Sequence, residues 1–399
     1  MFVFFINLCD YLTFWFRGLD LIDGVIHVVF LQDQDFKSNF YKVFDDLNYC
    51  TAETAGFIIL SFTTSVFILI NVAFYTIAER KIMAAVQRRA GPSVVGFIGV
   101  LQPIADGLKL ALKEIIIPTK VNRFLFIIAP FLALSITFVN WMLIAFSWAD
   151  VLINLNLSLL VLFTISSFNI YSIIISGWAS NSRYPFLGAL RAASQMISYE
   201  VSLTVIFLCI VLCSGSFNLL KIVAIQEQYN SYCFAIFPIF IIFIISILAE
   251  TNRAPFDLPE AEAEIVAGYN LEYSSLTFAI FFLGEYGNMI LMSAFTTVLF
   301  LGGWGSYIVG YGAGVNTLAL WPVIITWEVC FAIKTVFIAF GFVLIRATFP
   351  RLRYDQLMLL GWTIFLPIST AFFIFLLALK ISFSTFQSVA LNNLLGFTL

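Results

Sequence analysis

Eight apolar stretches, most of them near twenty residues long, constrain the fold of this chain more than any other feature of its sequence. A helix rises about 1.5 Å per residue, so about 20 apolar residues cross the hydrocarbon core of a bilayer. The chain is 61% apolar and only 11% charged, whereas soluble domains are roughly 45–50% apolar. We therefore predict an all-α, polytopic membrane protein with about eight transmembrane helices, near 55–78, 124–146, 157–175, 192–211, 234–249, 276–301, 323–345 and 358–379.

The basic residues agree with this number of spans. If the first span runs from outside to inside, the inner loops are 79–123, 176–191, 250–275 and 346–357. These loops hold 14 of the 20 Lys and Arg residues. Such an excess on one side is the positive-inside pattern, and it predicts that both termini lie outside.

Two terminal segments and one helix of an inner loop are predicted outside the spans. Residues 1–52 hold seven acids and three bases, and we predict an interfacial or partner-binding arm there. The membrane domain is predicted over 53–380, and 381–399 form a C-terminal tail. Within the first inner loop, 94–114 alternates apolar and polar residues at helical spacing, which predicts an amphipathic helix lying on the membrane surface.

The sequence lacks the residues of a redox centre. Its single histidine, His27, excludes a bis-histidine haem, and its six cysteines include no C-x-x-C pair for an iron–sulfur cluster. No phosphate-binding glycine motif is present, no metal site is predicted, and the net charge of −3 does not suggest nucleic acid. Any electron transfer must therefore use redox centres in other chains.

The segment 246–273 concentrates negative charge between two apolar runs. It carries six of the chain's 23 acids and one cation, Arg253. Pro255 and Pro259 disfavour a continuous helix, so we predict a folded loop that returns carboxylates toward the membrane. A solvated acidic loop is the alternative. The acids are Glu250, Asp257, Glu260, Glu262, Glu264 and Glu272.

Several ionisable residues fall inside or at the edge of predicted spans. Ionisable groups are costly within a membrane and mark functional positions by default, and a chain of buried carboxyls can exchange protons. The alternative is that each one only pairs with a base and fixes helix packing. Glu200, Glu285, Glu328 and Lys334 lie within spans, and Glu79 and Glu250 lie at the inner edge.

The inner loops bring bases to the same side as the acidic 257–264 stretch. Basic and acidic loops at a membrane surface form either a docking face for a soluble partner or the polar mouth of a cavity. Phe256 beside Asp257 adds an apolar contact next to a charge, which suits a long apolar molecule with a polar head. A solvated rim is the alternative. The bases are Arg80, Arg88, Arg89, Arg346, Arg351 and Arg353.

Several motifs resemble those of one family, the chain 1 membrane subunits of respiratory NADH–ubiquinone oxidoreductase (complex I). One is Ala-Glu-Thr-Asn-Arg-Ala-Pro-Phe-Asp-Leu at 249–258. Another is Arg-Ala-Thr-Phe-Pro-Arg-Leu-Arg-Tyr-Asp-Gln-Leu-Met at 346–358. The resemblance runs from about 53 to 380, and its other motifs are at 78–81, 87–96, 101–110, 176–184, 188–200 and 268–273.

This resemblance implies a proton-pumping NADH:ubiquinone oxidoreductase in which the chain shapes the quinone tunnel and relays protons. It implies ubiquinone as substrate, with flavin and iron–sulfur clusters held by hydrophilic-arm partners, and small and pump-type membrane subunits as neighbours. The implied tunnel residues are Arg80, Phe256, Asp257 and Arg346. The implied acidic funnel and relay are Glu260, Glu262, Glu264, Glu250, Glu200 and Glu285. Basic residues predicted to dock partners on the matrix side are Arg88, Arg89, Arg351 and Arg353.

Three alternatives stay open at this point. A related hydrogenase subunit would lack a quinone site, a secondary transporter would use the intramembrane acids alone, and a scaffold would use them only for packing. A transporter often shows repeated halves, and we find no repeat here. The 46 Phe residues suggest an A/T-rich organellar gene, so we predict the mitochondrial inner membrane, with a bacterial plasma membrane as the alternative.

Overall fold

The structure is a computed structural model that describes residues 34–146, 151–228, 231–257, 268–305 and 327–395, with side chains between 58 and 382 except at Trp327 and Glu328. All regular structure in these ranges is helical, which confirms the predicted fold class. Short 3-10 turns occupy Phe97–Gly99 and Gly268–Asn270, and a π-helical turn occupies Leu360–Phe365. The α-helices are α1 Gln34–Val86, α2 Gln102–Leu112, α3 Arg123–Leu143, α4 Ser158–Ser167, α5 Asn169–Ala179, α6 Arg183–Ser214, α7 Leu219–Gln228, α8 Tyr232–Ala235, α9 Phe237–Glu250, α10 Ser275–Phe300, α11 Trp327–Thr348, α12 Tyr354–Leu359 and α13 Leu366–Leu395.

The chain divides into two compact units, Met1–Ile70 and Asn71–Leu399. Within the first unit, Ser61, Thr64 and Ser65 donate their hydroxyl protons to carbonyls of α1 itself, at 2.7–2.9 Å. These bonds satisfy the polar groups of a helix whose Phe62 side chain is exposed, as a lipid-facing helix requires. Residues 1–33 of the predicted N-terminal arm lie outside the described ranges.

The described helices confirm the polytopic prediction. Seven of them are long and apolar enough to cross a membrane, and α9 is a shorter apolar helix. The predicted span 157–175 is confirmed as the candidate span Ser158–Ala179, which α4 and α5 form together where they join at Phe168. Helix α6 begins at Arg183, well before the predicted 192, because Arg183 and Arg191 interrupt the apolar run from which the span was predicted.

Helix α10 lies at the centre of the second unit. Of its most apolar stretch, 61% is buried inside the protein, against 11% for the stretch in Tyr354–Ser382. Small residues bring α3 close: a Cβ placed on Gly284 would lie 3.5 Å from the Ala133 backbone, and Trp141 donates from Nε1 to the Gly287 carbonyl at 3.3 Å. Close approach at small residues is the usual way for membrane helices to pack.

The C-terminal end of α10 is held by side chains from two other helices. Buried Gln226 of α7 donates from Nε2 to the last carbonyls of α10, those of Val298 and Leu299, at 3.0 Å each. Lys334 of α11 donates from Nζ to the carbonyls of Leu301, Gly303 and Gly305, at 2.6–2.9 Å. Helix C-terminal carbonyls lack intrahelical partners and favour cations, so both side chains fix the end of the central helix.

Candidate functional site

The segment after α9 turns back along helix α6. Helix α9 ends at Glu250, and residues 251–257 are not helical, as the two prolines predicted. Gln195 of α6 has no exposed surface, and its Nε2 donates to the carbonyls of Ala249 and Phe256 at 2.9 Å each. This amide fixes the segment against α6 and thereby fixes the position of Glu250.

Glu250 and Glu200 lie on α9 and α6, two helices that pack against each other. Glu250 is 2% exposed, and its Oε2 atom has no hydrogen-bond partner among the described residues. Glu200 lies on α6, its Oε1 atom is buried without such a partner, and its charge acts on Glu250. The two carboxylates therefore lie near enough for a change of charge on one to affect the other.

Glu285 lies on α10 and contacts residues from the segment that the sequence marked as acidic. Tyr269 donates its hydroxyl proton to Glu285 Oε1. The guanidinium of Arg253 lies 3.9 Å from Glu285 Oε2 and 4.3 Å from the centre of the Tyr286 ring. Arg253 is 3% exposed, so the single cation of this segment is turned into the protein and not toward solvent.

Glu79 is connected to Arg253 and Glu285 through Tyr286. It is 1% exposed, forms an ion pair with Arg346 of α11, and accepts a hydrogen bond from the Tyr286 hydroxyl at 2.6 Å. Tyr286 thus contacts Glu79 through its hydroxyl and Arg253 through its ring face. The resulting series, which we call the charged network, consists of Arg346, Glu79, Tyr286, Arg253, Glu285 and Tyr269.

A small polar cavity joins the charged network to the Glu250 and Glu200 pair. Its volume is about 20 Å³, which is room for one water molecule but not for a quinone. Both Glu250 and Glu285 line it. The other lining residues are Ala133, Asn169, Ser172, Ile173, Thr251, Asn252, Tyr269, Phe281, Gly284 and Asn288.

Two of the predicted tunnel residues, Phe256 and Asp257, lie side by side in the buried part of the returning segment. Phe256 is 2% exposed and packs edge-to-face on Tyr199, with ring centres 5.8 Å apart. Asp257 is 4% exposed and pairs with Arg351 at 3.2 Å. They combine an apolar wall with a charge, as the sequence indicated.

The other two predicted tunnel residues, Arg80 and Arg346, have different surroundings. Arg346 belongs to the charged network. Arg80 forms an ion pair with Asp106 of α2 at 2.7 Å, and its side chain is 49% exposed. The structure thus pairs Arg346 with Glu79, while the contact it gives Arg80 is with α2.

Other predicted residues fall into three groups. Arg88, Arg89 and Arg353 are exposed, and Arg351 combines 46% side-chain exposure with its bond to Asp257. Lys334 binds the carbonyls at the end of α10. The predicted acids Glu260, Glu262 and Glu264 lie outside the described residues, as does the side chain of Glu328.

Sequence reasoning missed several residues of this site. Arg253 was noted only as a lone cation, and Tyr286, Tyr269 and Gln195 were not singled out. Two signals were available: Tyr286 directly follows an intramembrane acid, and Gln195 is an amide near an apolar span, where a buried polar group requires a hydrogen-bond partner. Their partners lie on distant segments, so the contacts themselves could not be read from spacing.

Comparison with known proteins shows which family this chain resembles. The family model described as NADH dehydrogenase matches residues 59–377. NADH-ubiquinone oxidoreductase chain 1 of Chondrus crispus is 52% identical over 317 residues, which cover 79% of this chain and 94% of that protein. The protein of the same name from Arabidopsis thaliana is 53% identical, covering 76% and 90%.

A bacterial relative shows the same level of similarity. It is a subunit of the NADH-quinone oxidoreductase of Rhodospirillum rubrum, 53% identical over 296 residues, which cover 74% of this chain and 85% of that protein. The matched region contains every described residue of the charged network and of the cavity. This chain therefore belongs to the NADH dehydrogenase family of membrane subunits.

Proposed function

We propose that this chain is a core membrane subunit of a proton-pumping NADH:quinone oxidoreductase, in which it shapes the quinone tunnel and couples quinone reduction to proton translocation. Ubiquinone is the proposed substrate, and electrons reach it from partner subunits that hold flavin and iron–sulfur clusters. The proposed neighbours are the hydrophilic-arm subunits and the small and pump-type membrane subunits, in the mitochondrial inner membrane. Family membership and the names of the relatives support this proposal.

The observation that carries the proposal is the connection of the charged network to Glu250 through one polar cavity. Its charged groups, all buried or partly buried, alternate in sign: a cation at Arg346, an anion at Glu79, a cation at Arg253 and an anion at Glu285. Charges interact more strongly away from water than in it. A change of protonation at one end of such a series therefore alters the free energy of ionising the groups at the other end.

The quinone end of the tunnel is proposed at Phe256, Asp257, Arg346 and Arg80. Reduction of a quinone to a quinol takes up two electrons and two protons. Protons drawn from this region leave negative charge beside Asp257, and Arg346 and Arg351 are the cations that respond to it. The acids Glu260, Glu262 and Glu264 are proposed to form the funnel beneath the tunnel.

The relay end is proposed at Glu250, Glu200 and Glu285. Glu250 is almost wholly buried, and its neighbour Glu200 carries the same charge. Like charges in a buried site resist simultaneous ionisation, so these groups exchange protons when the charge of the network changes. Their response is passed to the neighbouring pump subunits.

The substitution Glu250→Gln in the assembled complex tests this relay. Glutamine keeps the size of the side chain and removes its exchangeable proton. We expect NADH-driven quinone reduction and proton pumping to fall together by at least about tenfold. Quinone reduction by solubilised complex and proton uptake by sealed vesicles are the two measurements.

Glu114→Gln is the matched control, because Glu114 is an exposed acid of the first inner loop. It should leave both rates unchanged. Wild-type turnover and pumping in fully assembled Glu250→Gln complex would contradict the relay. Loss of assembly alone is identified by the amount of this chain in the purified complex.

A further inference from the structure

The cavity between Glu250 and Glu285 contains polar residues that the charged network does not use. Asn169 and Ser172 reach it from α5, and Asn288 reaches it from α10. Ser172 and Asn288 are buried, at 1% and 6% exposure, and Asn169 is half-buried. Amides and hydroxyls beside two carboxylates make this a hydrophilic cavity in an otherwise apolar protein.

Asn169 is held in one orientation by its neighbour. Ser172 shares its one hydroxyl proton between two acceptors of Asn169, the main-chain carbonyl at 2.6 Å and the side-chain Oδ1 at 3.2 Å. With Oδ1 as acceptor, Nδ2 is the donor that remains on this side chain. Asn169 begins α5 at the junction with α4, and it lines the cavity.

Two carboxylate oxygens that accept no hydrogen bond from the described residues border the same cavity. Glu250 Oε2 and Glu285 Oε2 are buried and have no hydrogen-bond partner among the described residues. Buried acceptors of this kind carry an energetic penalty that a bound donor removes. The cavity has the volume of one water molecule, and waters buried in proteins typically make about three hydrogen bonds.

We propose that Asn169 is a positioning residue for proton transfer, and that its Nδ2 holds a water molecule between Glu250 and Glu285. This inference rests on the proposed relay. The protonated carboxyl of one glutamate gives its proton to the water oxygen, and a different proton of that water passes to the carboxylate of the other glutamate. One O–H bond breaks and one forms at each step, the water is regenerated, and one proton has moved without electrons.

Asn169→Leu in the assembled complex tests the inference, because leucine has a similar size and no donor. Asn169→Ser keeps a donor. Thr164→Val is the matched control, since Thr164 is an exposed polar residue of α4 that does not line the cavity. The readouts are protons pumped per electron, the solvent deuterium isotope effect on quinone reduction, and the pH profile of turnover. Glu250→Gln is measured beside them.

We expect Asn169→Leu to lower coupled turnover by about tenfold, as loss of a hydrogen bond to a charged site does, and to raise the isotope effect. Asn169→Ser should recover most of the rate, and Thr164→Val should match the wild type. If Asn169→Leu fails to assemble, Asn169→Ala takes its place with the same expectation.

Other results would overturn the inference in distinguishable ways. Wild-type behaviour of Asn169→Leu beside a slow Glu250→Gln would reject the role of Asn169 and leave the relay standing. Wild-type behaviour of both variants would reject the relay and this inference with it. Equal slowing by Asn169→Leu and Asn169→Ser, with unchanged isotope effect and pH profile, would assign Asn169 to packing alone.

Discussion

Tyr286 is the residue through which the two ion pairs of the charged network meet. Its hydroxyl donates to Glu79 at 2.6 Å, and its ring face lies 4.3 Å from the Arg253 guanidinium. A hydrogen bond to a charged group contributes about 1.5–3 kcal/mol, and a cation–π contact about 0.5–2 kcal/mol. We therefore expect the two halves of this side chain to make separable contributions.

The pair Tyr286→Phe and Tyr286→Leu separates these contributions. Phenylalanine loses only the bond to Glu79, and we expect quinone reduction per assembled complex to fall roughly tenfold, in line with that bond's energy. Leucine also loses the ring and should be slower still. Tyr171→Phe, at an exposed tyrosine, is the control. Equal rates for Tyr286→Phe and wild type would show that the network does not depend on the hydroxyl.

Single residues also show where sequence reasoning succeeded and where it stopped. Glu250 directly follows an apolar run, so the sequence placed it at the inner edge of a span, where ionisable residues mark functional positions. The partner of Glu79 could not be predicted in this way. Arg346 is 267 residues away on a different helix, α11, so sequence spacing does not indicate the contact.

At the scale of elements, the contact between α6 and the Gly268–Asn270 turn positions the tyrosine that holds Glu285. A Cβ on Gly188 of α6 would lie 2.8 Å from the Gly268 Cα atom, closer than real contacts allow. Gly188→Ala must therefore displace the turn and Tyr269 with it. We expect it to destabilise the subunit by about 1–3 kcal/mol, as overpacking does, and to lower coupled turnover.

Gly341→Ala is the matched control for this substitution. Gly341 also lies within a helix, α11, and nothing lies within 4 Å of its added Cβ. Alanine in a helix is favoured over glycine by about 0.5–1 kcal/mol, so this variant should be neutral or slightly stabilised. Thermal inactivation of the purified complex gives the comparison, and equal midpoints for the two variants would contradict the close packing at Gly188.

Elements were predictable where hydropathy determines them and less so where local packing does. The apolar runs predicted every described span. The break at Phe168 and the π-helical turn at Leu360–Phe365 interrupt runs of unbroken hydropathy, so neither has a signal in composition. Tyr199 shows a physical cause for the second: its hydroxyl donates to the Leu357 carbonyl at 3.1 Å, just before that turn.

At the scale of the whole molecule, the exposed surface indicates that this chain works inside a larger assembly. Phe97 and Val94 of the first inner loop are 84% and 93% exposed, near the exposed bases Arg88 and Arg89. Apolar side chains beside charges on the inner surface suit a protein partner better than lipid alone. This combination supports the predicted docking face for hydrophilic-arm subunits.

A native gel of gently solubilised membranes tests this expectation for the intact protein. We expect mass spectrometry to find the chain in a very large band that stains for NADH dehydrogenase activity.

Reversal of two charges, Arg88→Glu with Arg89→Glu, should shift the chain to smaller bands without that activity, and more so at high salt, because exposed charges are screened. Lys221→Glu reverses an exposed charge on the predicted outer side and should leave the large band intact. A chain that migrates alone, in wild-type membranes, without NADH activity would refute the proposed assembly, because the buried carboxylates would then have no redox partner to respond to.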